Sequence, residues 1–392
     1  MNNLLYNPER AGVALESFGA DAYLATNSGN VQYFTHFRKG GGAISILSGA
    51  NIGSPMLIVK SSGMDYILED PCDPLQIRVC GNFYRFVADN VDLNERENLI
   101  RQLHESASID KNEWDLAAEE LDRVGLKNGT LVVDATPDTL VPLSKRLPDI
   151  KIKSAPDLFR RLRMVKTPEE IARLAEGARI TEQAIYASVT SASLGTTQSQ
   201  LARAFSLSAI AAGCFIRQDN ASIGRGSALG NCNQPRDIVE DGSIIRYDLG
   251  VFCKGYATDI ARTFAFRSAS ARVRDYMGSM VAGQNAALDH IHPGTTANEV
   301  FYSAVDAVRK AGVPHFNRTH VGHGIGIAGG EYDPPLLAAS DNTILEPGMV
   351  LCVETPYVEL GFGCVHVEDM VVVTEKGYEF LTHTERNLVI VP

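Results

Sequence analysis

The chain has 392 residues and a formal net charge of −11, with 45% apolar and 21% charged residues. That length exceeds one ordinary core and predicts two domains, and the composition is globular rather than collagenous, fibrous or disordered. The acidic balance argues against a nucleic-acid surface or an anionic membrane face, which need clustered Lys and Arg, and no apolar run approaches the ~20 residues that span a bilayer.

The opening Met1-Asn2-Asn3-Leu4 lacks a basic segment followed by an apolar one, so no secretion signal is read and a cytoplasmic location is expected. Asp21 to Thr26 reads as a strand, Asn27 to Asn30 as a turn, and Val31 to Phe34 as the strand resuming. Leu57 to Val59 and Leu131 to Val133 read as buried strands, with helical stretches from Asn94 to Gln102 and from Trp114 to Val124 between them. The alternation predicts an α/β N-terminal domain over residues 1–160, with a partly parallel sheet.

The basic run Arg160 to Lys166 reads as a solvated linker face. Behind it Thr167 is a natural N-cap, Pro168 suits the first helical turn, and Glu170 completes a capping box. The helix that follows carries Ile171, Leu174, Ala175 and Ala178 on one face. A second capping box, Thr296 with Glu299, opens a helix through Val300, Ala304 and Val308. From Ile244 onward strands and glycine turns dominate. Ser243 to Phe252 and Tyr256 to Phe264 read as a hairpin around Cys253-Lys254-Gly255, and Met349 to Glu354 with Val365 to Val373 as another antiparallel pair. Residues 161–392 are therefore expected to form an α+β domain, with helices against a mostly antiparallel sheet.

The seven cysteines are scattered, odd in number and without a CxxC pair. They read as small buried hydrophobes rather than a disulfide framework or zinc knuckle.

Five residues concentrate the chemistry. Asp248 and Asp259 lie on the two strands of the hairpin. A turn at Cys253-Lys254 sets them directly opposite and a turn at Lys254-Gly255 makes them diagonal neighbours; the period of two keeps both on one face in either register. Paired carboxylates repel unless a cation or proton lies between them, although two aspartates on a wet sheet face are the plain alternative. His323 stands between glycines in Val-Gly-His-Gly-Ile-Gly-Ile, where backbone and ligand can approach the imidazole. Glu354 and Glu368 sit in apolar strand sequence, where an acid is costly unless paired or metal-bound. Two Asp, one His and two Glu make a hard, oxygen-rich set that suits two divalent ions of the manganese, iron, cobalt or zinc kind.

The order is specific: Asp, ten residues, Asp, then Gly-His-Gly-Ile-Gly, then Val-Glu-Thr-Pro-Tyr, then Gly-x-x-x-x-Glu-Asp. It resembles the creatinase/aminopeptidase P/methionine aminopeptidase superfamily, and the two-domain layout resembles its creatinase and prolidase branch. The linker from Leu162 to Ile171 and the segment from Asp21 to Phe37 carry the likeness across nearly the whole chain. The resemblance implies a pita-bread catalytic domain, metal ligands at Asp248, Asp259, His323, Glu354 and Glu368, and a homodimer or higher oligomer whose N-terminal domains shape the neighbouring site. For a hydrolase, the expected arrangement has Asp248 and Glu368 bridging two ions, with Asp259 completing one site and His323 and Glu354 the other.

Departures from the resemblance bear on substrate. The peptidases place a histidine 17 residues before the first metal aspartate, where this chain has Asn231. Their second histidine before Glu is replaced by Gly330, before Glu331, and a further one falls on Thr319, with His320 one place later. His366 stands where peptidases often carry Arg or Gln. Asn can hydrogen-bond substrate but cannot act as a base. The expectation is a metal-dependent hydrolase cleaving a C–N bond in a small amide, amidine or guanidine, with an Xaa-Pro dipeptidase or aminopeptidase as the alternative. A metal-dependent lyase or a non-catalytic binding protein on the same fold is less favoured. Glu354, His320 and His366 are the candidate catalytic residues, with Glu354 relaying a proton. Asn231, His366 and Arg38 are the candidate substrate contacts. Phe37, Arg38 and the stretch Gly40 to Gly42 are candidates to reach a partner's site.

Overall fold

The computed structural model describes residues 4–38, 42–69, 76–230, 237–327 and 332–392. The chain divides into two compact units, Met1–Arg163 and Met164–Pro392.

The first unit runs α1 (Pro8–Phe18), β1 (Ala22–Ala25), α2 (Ser28–Thr35), β2 (Ile44–Ser48), β3 (Met56–Lys60), β4 (Gln76–Cys80), α3 (Glu95–Glu105), α4 (Glu113–Arg123), β5 (Thr130–Val133), α5 (Val141–Arg146), β6 (Lys151–Ser154) and α6 (Pro156–Leu162). Its six-stranded sheet has the order β4-β3-β2-β1-β5-β6. The pairs β1–β5, β5–β6 and β3–β4 are parallel, while β1–β2 and β2–β3 are antiparallel. Both faces are covered. Leu116, Ala117 and Leu121 of α4 pack with Leu24, Ile58 and Val133 on one side. Tyr6, Tyr23, Tyr33, Phe34 and Phe159 interlock in edge and tilted ring contacts on the other. Strands buried on two faces read as continuous apolar runs, which is why Leu131 to Val133 was legible.

Val31 to Phe34 is helical, not strand. The Asn27 side chain caps α2 by accepting from the Gly29 amide at 3.0 Å, and Asp134 accepts from the Thr26 and Asn27 amides at 2.9 and 3.0 Å. Capping and tertiary anchoring override the β-propensity of Val, Tyr and Phe here. The basic run is a solvated face only at its start, where Arg161 is exposed. Arg163 and Lys166 are buried; Arg163 hydrogen-bonds Asn30, and Lys166 lies 3.9 Å from Asp333.

The second unit opens with α7 (Pro168–Val189), capped reciprocally by Thr167 and Glu170, and α8 (Gln198–Ala211). There follow β7 (Phe215–Ile223), β8 (Ile244–Cys253), β9 (Tyr256–Ala257), β10 (Ile260–Phe266), α9 (Ala271–Asp289), α10 (Ala297–Lys310), β11 (Gly322–Gly324), β12 (Asp333–Leu336), β13 (Val350–Glu354), β14 (Tyr357–Glu359), β15 (Gly363–Val365), β16 (Glu368–Thr374), β17 (Gly377–Phe380) and β18 (Val389–Val391). The main sheet has the path β12-β11-β13-β16-β10-β8-β7, with β17, β18 and β9 attached at its sides. Every pairing on that path is antiparallel. The core joins Val281, Leu288, Val300, Ala304 and Val308 of α9 and α10 to Leu351, Val353, Val371 and Val373 of β13 and β16.

The hairpin takes the Lys254-Gly255 register. Cys253 pairs with Tyr256 and Phe252 with Ala257, and both turn residues have positive φ, at 49° and 84°. That conformation matches the twist of the flanking strands, and glycine accepts it without strain. Asp259 is not mid-strand: Thr258 and Asp259 fall between β9 and β10. Val365 to Val367 also departs from the second predicted strand. Val365 belongs to β15, paired with Tyr357, and β16 begins only at Glu368. The five described cysteines are buried free thiols; Cys72 and Cys232 lie outside the described residues. No helix among the described residues is long and apolar enough to cross a membrane.

Candidate metal centre

Strand register builds the site. Asp248 on β8 faces Ala261 on β10, Ala261 faces Glu368 on β16, and Glu368 faces Glu354 on β13. Residues opposite each other across a ladder share a sheet face, so three acids and one alanine form a single row. His323 on β11 pairs with Cys352, two residues from Glu354 and on the same face. Asp259 is two residues from Ala261 and joins that face too. All five residues predicted as ligands are thus brought together.

Donor atoms of Asp248, Asp259 and Glu368 lie within 4.8 Å of one another, as do those of Glu354, His366 and Glu368, and those of His323, Cys352 and Glu368. His323 Nε2 is 3.7 Å from Asp259 Oδ2 and 3.8 Å from Glu368 Oε1. Burial lowers the His323 imidazole to about 4, so it is neutral. Its Nδ1 faces the Gly324 carbonyl oxygen at 3.1 Å, which leaves the Nε2 lone pair turned to the acids. The Tyr332 ring stacks on it, centroids 3.7 Å apart.

Asp259, Glu368 and Glu354 are strongly perturbed. Burial raises Asp259 to about 8, against the pull of Arg217. Burial, together with Asp259, Glu354 and Asp248, pushes Glu368 well above the ordinary carboxylate range. Burial also pushes Glu354 upward, but the His366 hydrogen bond and nearby positive groups outweigh it and leave the carboxyl at about 2. Glu368 Oε1 is buried and finds no hydrogen-bond partner among the described residues. Cys352 is held protonated by burial and by the surrounding acids, so its thiol fills space rather than offering a thiolate.

This set fits divalent cations. Four converging carboxylates, an orphaned carboxylate oxygen and a neutral imidazole aimed at them are hard, oxygen-rich ligation with one nitrogen. The flanking donors do not spoil the fit. Gln218 Nε2 donates to Asp248 Oδ1 at 2.7 Å and to Asp259 Oδ1 at 2.8 Å. Arg217 donates to Asp259 Oδ2 at 2.7 Å, and Arg246 pairs with Asp248. A carboxylate has about four lone-pair sites, so each oxygen that accepts one such bond keeps capacity for an ion.

Of the other predicted residues, His320 Nδ1 lies 3.2 Å from Glu354 Oε1, and burial lowers its imidazole below the usual value. His366 Nε2 lies 3.0 Å from Glu354 Oε2. Arg38, in the first unit, pairs with Glu69 at 3.2 Å, and Phe37 is buried there. Asn231, Gly330, Glu331, Gly40 and Gly41 lie outside the described residues. Sequence reading missed Arg217, Gln218, Arg246, Arg318 and Tyr332. Arg246 was findable, since it stands two residues before Asp248 on the same face. Arg217 and Gln218 were not, because a register shift between Ile216 and Gln218 turns them toward the site.

A profile of metallopeptidase family M24 matches residues 172–375, more than half of the chain. The Xaa-Pro dipeptidase of Lactobacillus helveticus is 30% identical over 235 residues, which span 59% of this chain and 63% of that protein. The Xaa-Pro dipeptidase of Pyrococcus furiosus is 29% identical over 240 residues, spanning 61% and 68%. Among solved structures, the Xaa-Pro dipeptidase from Bacillus anthracis superposes with a TM-score of 0.79 at 22% identity, covering 98% of this chain and 99% of that one. The X-Pro aminopeptidase from Thermotoga maritima gives 0.78 at 22% identity, with the same coverage. At that identity the likeness establishes fold, here the α/β domain followed by the pita-bread domain. The family's enzymes work with paired divalent ions, in keeping with the acids gathered here. Profile, fold and site agree: the chain belongs to metallopeptidase family M24, within the creatinase/aminopeptidase P/prolidase pita-bread superfamily, and is a metal-dependent hydrolase.

Proposed function

We propose that the enzyme cleaves a C–N bond of a small substrate at a two-ion centre held by Asp248, Asp259, His323, Glu354 and Glu368. The observation that carries this is the row across four strands, in which half-buried Asp248 and buried Glu368 and Glu354 share one sheet face with Asp259 and His323. Manganese is the first ion to test, with iron, cobalt and zinc as the others that suit these ligands. When bound, such a pair supplies a hydroxide nucleophile at neutral pH and polarises the carbon under attack.

The chain's own residues supply orientation and proton handling. Gln218 fixes Asp248 relative to Asp259 by bonding both. Glu354 is ionised and can accept a proton from the attacking water. His320, beside Glu354 and partly exposed, is the imidazole placed to hand that proton to the leaving nitrogen. The guanidinium of Arg318, 3.6 Å from Glu354, is a donor for an anionic substrate group such as a terminal carboxylate.

The names of the curated relatives make the Xaa-Pro dipeptide the first substrate to try. A non-peptide amide, amidine or guanidine is the second reading, favoured by Asn231 where the peptidases carry a histidine. We propose a homodimer in the cytoplasm as the working form, with Arg38 a candidate substrate contact; the five buried free thiols suit a reducing compartment. Elemental analysis of the purified protein, followed by assays on Xaa-Pro dipeptides and on small amides and guanidines with and without Mn²⁺, tests the proposal. About two ions per chain, with turnover abolished by chelation, is the expected result. Protein that neither binds divalent ions nor hydrolyses any of these would overturn it.

A further inference from the structure

His366 was expected to protonate the leaving nitrogen or to contact and orient the substrate. Its surroundings give it another task. The imidazole is buried between three groups. Nδ1 lies 3.1 Å from Nη2 of Arg246, and Nε2 lies 3.0 Å from Oε2 of Glu354 and 3.7 Å from Oε2 of Glu368. The backbone beneath the ring is fixed: the His366 amide donates to the Thr263 hydroxyl at 2.8 Å, and that hydroxyl donates to the His366 carbonyl oxygen at 2.9 Å.

A guanidinium carries N–H donors and no acceptor, and it does not deprotonate in a protein. The nitrogen facing Arg246 must therefore present its lone pair. A neutral imidazole has one proton, which then sits on Nε2 and points at Glu354. The doubly protonated ring would set an N–H against the N–H of a fixed cation inside a buried site.

We propose that Arg246 is a positioning residue that locks His366 as the Nε2–H tautomer, so that His366 is a permanent hydrogen-bond donor to Glu354 and neither a metal ligand nor a proton shuttle. Arg246 also pairs with Asp248. One guanidinium thereby ties the acid at one end of the row to the acid at the other, through a single imidazole. Glu354 keeps Oε2 engaged by His366 and turns Oε1 toward His320 and Arg318. The importance of this clamp for metal binding rests on the two-ion reading above; the tautomer itself does not.

The test is a long-range ¹H–¹⁵N correlation spectrum of uniformly labelled protein, both metal-free and loaded with diamagnetic zinc. The His366 resonances are identified by their loss in His366→Gln. The expected result at pH 7 is an unprotonated Nδ1 and a protonated Nε2 in the metal-free protein, unchanged by zinc. Arg246→Lys, still a pure donor, should keep that signature. Arg246→Met should release the ring to a mixture of tautomers and weaken zinc binding about 10–100-fold by calorimetry. A protonated Nδ1, a tautomer mixture or an imidazolium in the wild-type protein would overturn the proposal, whether or not the variants fold. A locked Nε2–H in protein that binds no metal would uphold the clamp and refute the two-ion reading; two bound ions with a mixed tautomer would do the reverse.

Discussion

Replacing Glu368 by Gln should move the metal-free and metal-loaded proteins in opposite directions. The Glu368 carboxyl is buried, and Oε1 has no hydrogen-bond partner among the described residues. Burial and the nearby Asp259, Glu354 and Asp248 raise it well above its ordinary value. In the metal-free protein the side chain is therefore a liability. An uncompensated buried charge costs about 3–5 kcal/mol, and protonation lets the folded state avoid part of this. Below that ceiling, a gain of about 2 kcal/mol for the neutral amide is a fair expectation, or about 4–8 °C in melting midpoint for a unit of this size. The sign in pH follows. A carboxyl raised in the folded state contributes stability below its unfolded value, and that contribution is lost as pH rises toward the folded value. Metal-free wild type should thus weaken as pH rises from about 4.5, and Glu368→Gln should weaken less, so the two curves converge near pH 5 and separate by pH 8. With Mn²⁺ added the order should reverse, because only the wild type gains binding energy from a ligand at this place. The assay is thermal unfolding across pH, with and without Mn²⁺, after thorough chelation. A metal-free variant less stable than wild type, or a Mn²⁺-induced shift as large as that of wild type, would refute the reasoning.

Three further substitutions probe the scaffold around the ligands. Gly322→Ala should destabilise by about 2 kcal/mol or more and reduce bound metal, because a Cβ there would meet the Cys352 carbonyl oxygen at 2.1 Å and Leu337 Cδ1 at 2.8 Å on a backbone with φ of 150°; unfolding and metal content measured together check it. Gln218→Leu removes the donor shared by both aspartates and should lower metal affinity about 10–100-fold with little change in fold, read by calorimetry and circular dichroism. Thr167→Val removes the acceptor that receives the Glu170 amide at the start of α7 and should lower stability by about 1 kcal/mol while leaving metal affinity unchanged, measured by denaturant unfolding.

What was legible in the sequence follows from how each signal arises. Capping chemistry is local, so Thr167 with Glu170 announced α7 to the residue. The convergence of the five candidate ligands was legible because each sits in a distinctive short motif and because a strand's period of two fixes its face without knowledge of its partners. Where neighbours in space decide the outcome, the sequence was mute or misleading. Asp134, far along the chain, helps to make Val31 to Phe34 a helix, and nothing nearby announces it. Lys166 looks like a solvated lysine until Asp333 lies opposite. Gln218 and Arg217 face the acids only because β7 changes register. His366 was singled out, but its contact with Arg246, a residue 120 positions away, left no local signal.

Ala261 stands in the row between Asp248 and Glu368. It sits on the strand between those of the two acids, and two strand spacings amount to about 9.5 Å of backbone separation. Carboxylates so far apart at their roots come within 4.8 Å at their tips because the residue between them ends in a methyl group. The centre is thus specified by an omission as much as by its ligands. A leucine at 261 would leave every candidate ligand in place and yet occupy the space between the acids in which the proposed ions would sit. Such a chain would keep the whole signature of its family and have lost the room to use it, so an intact ligand motif in a relative is evidence of function only when the small residue between the acids is intact too.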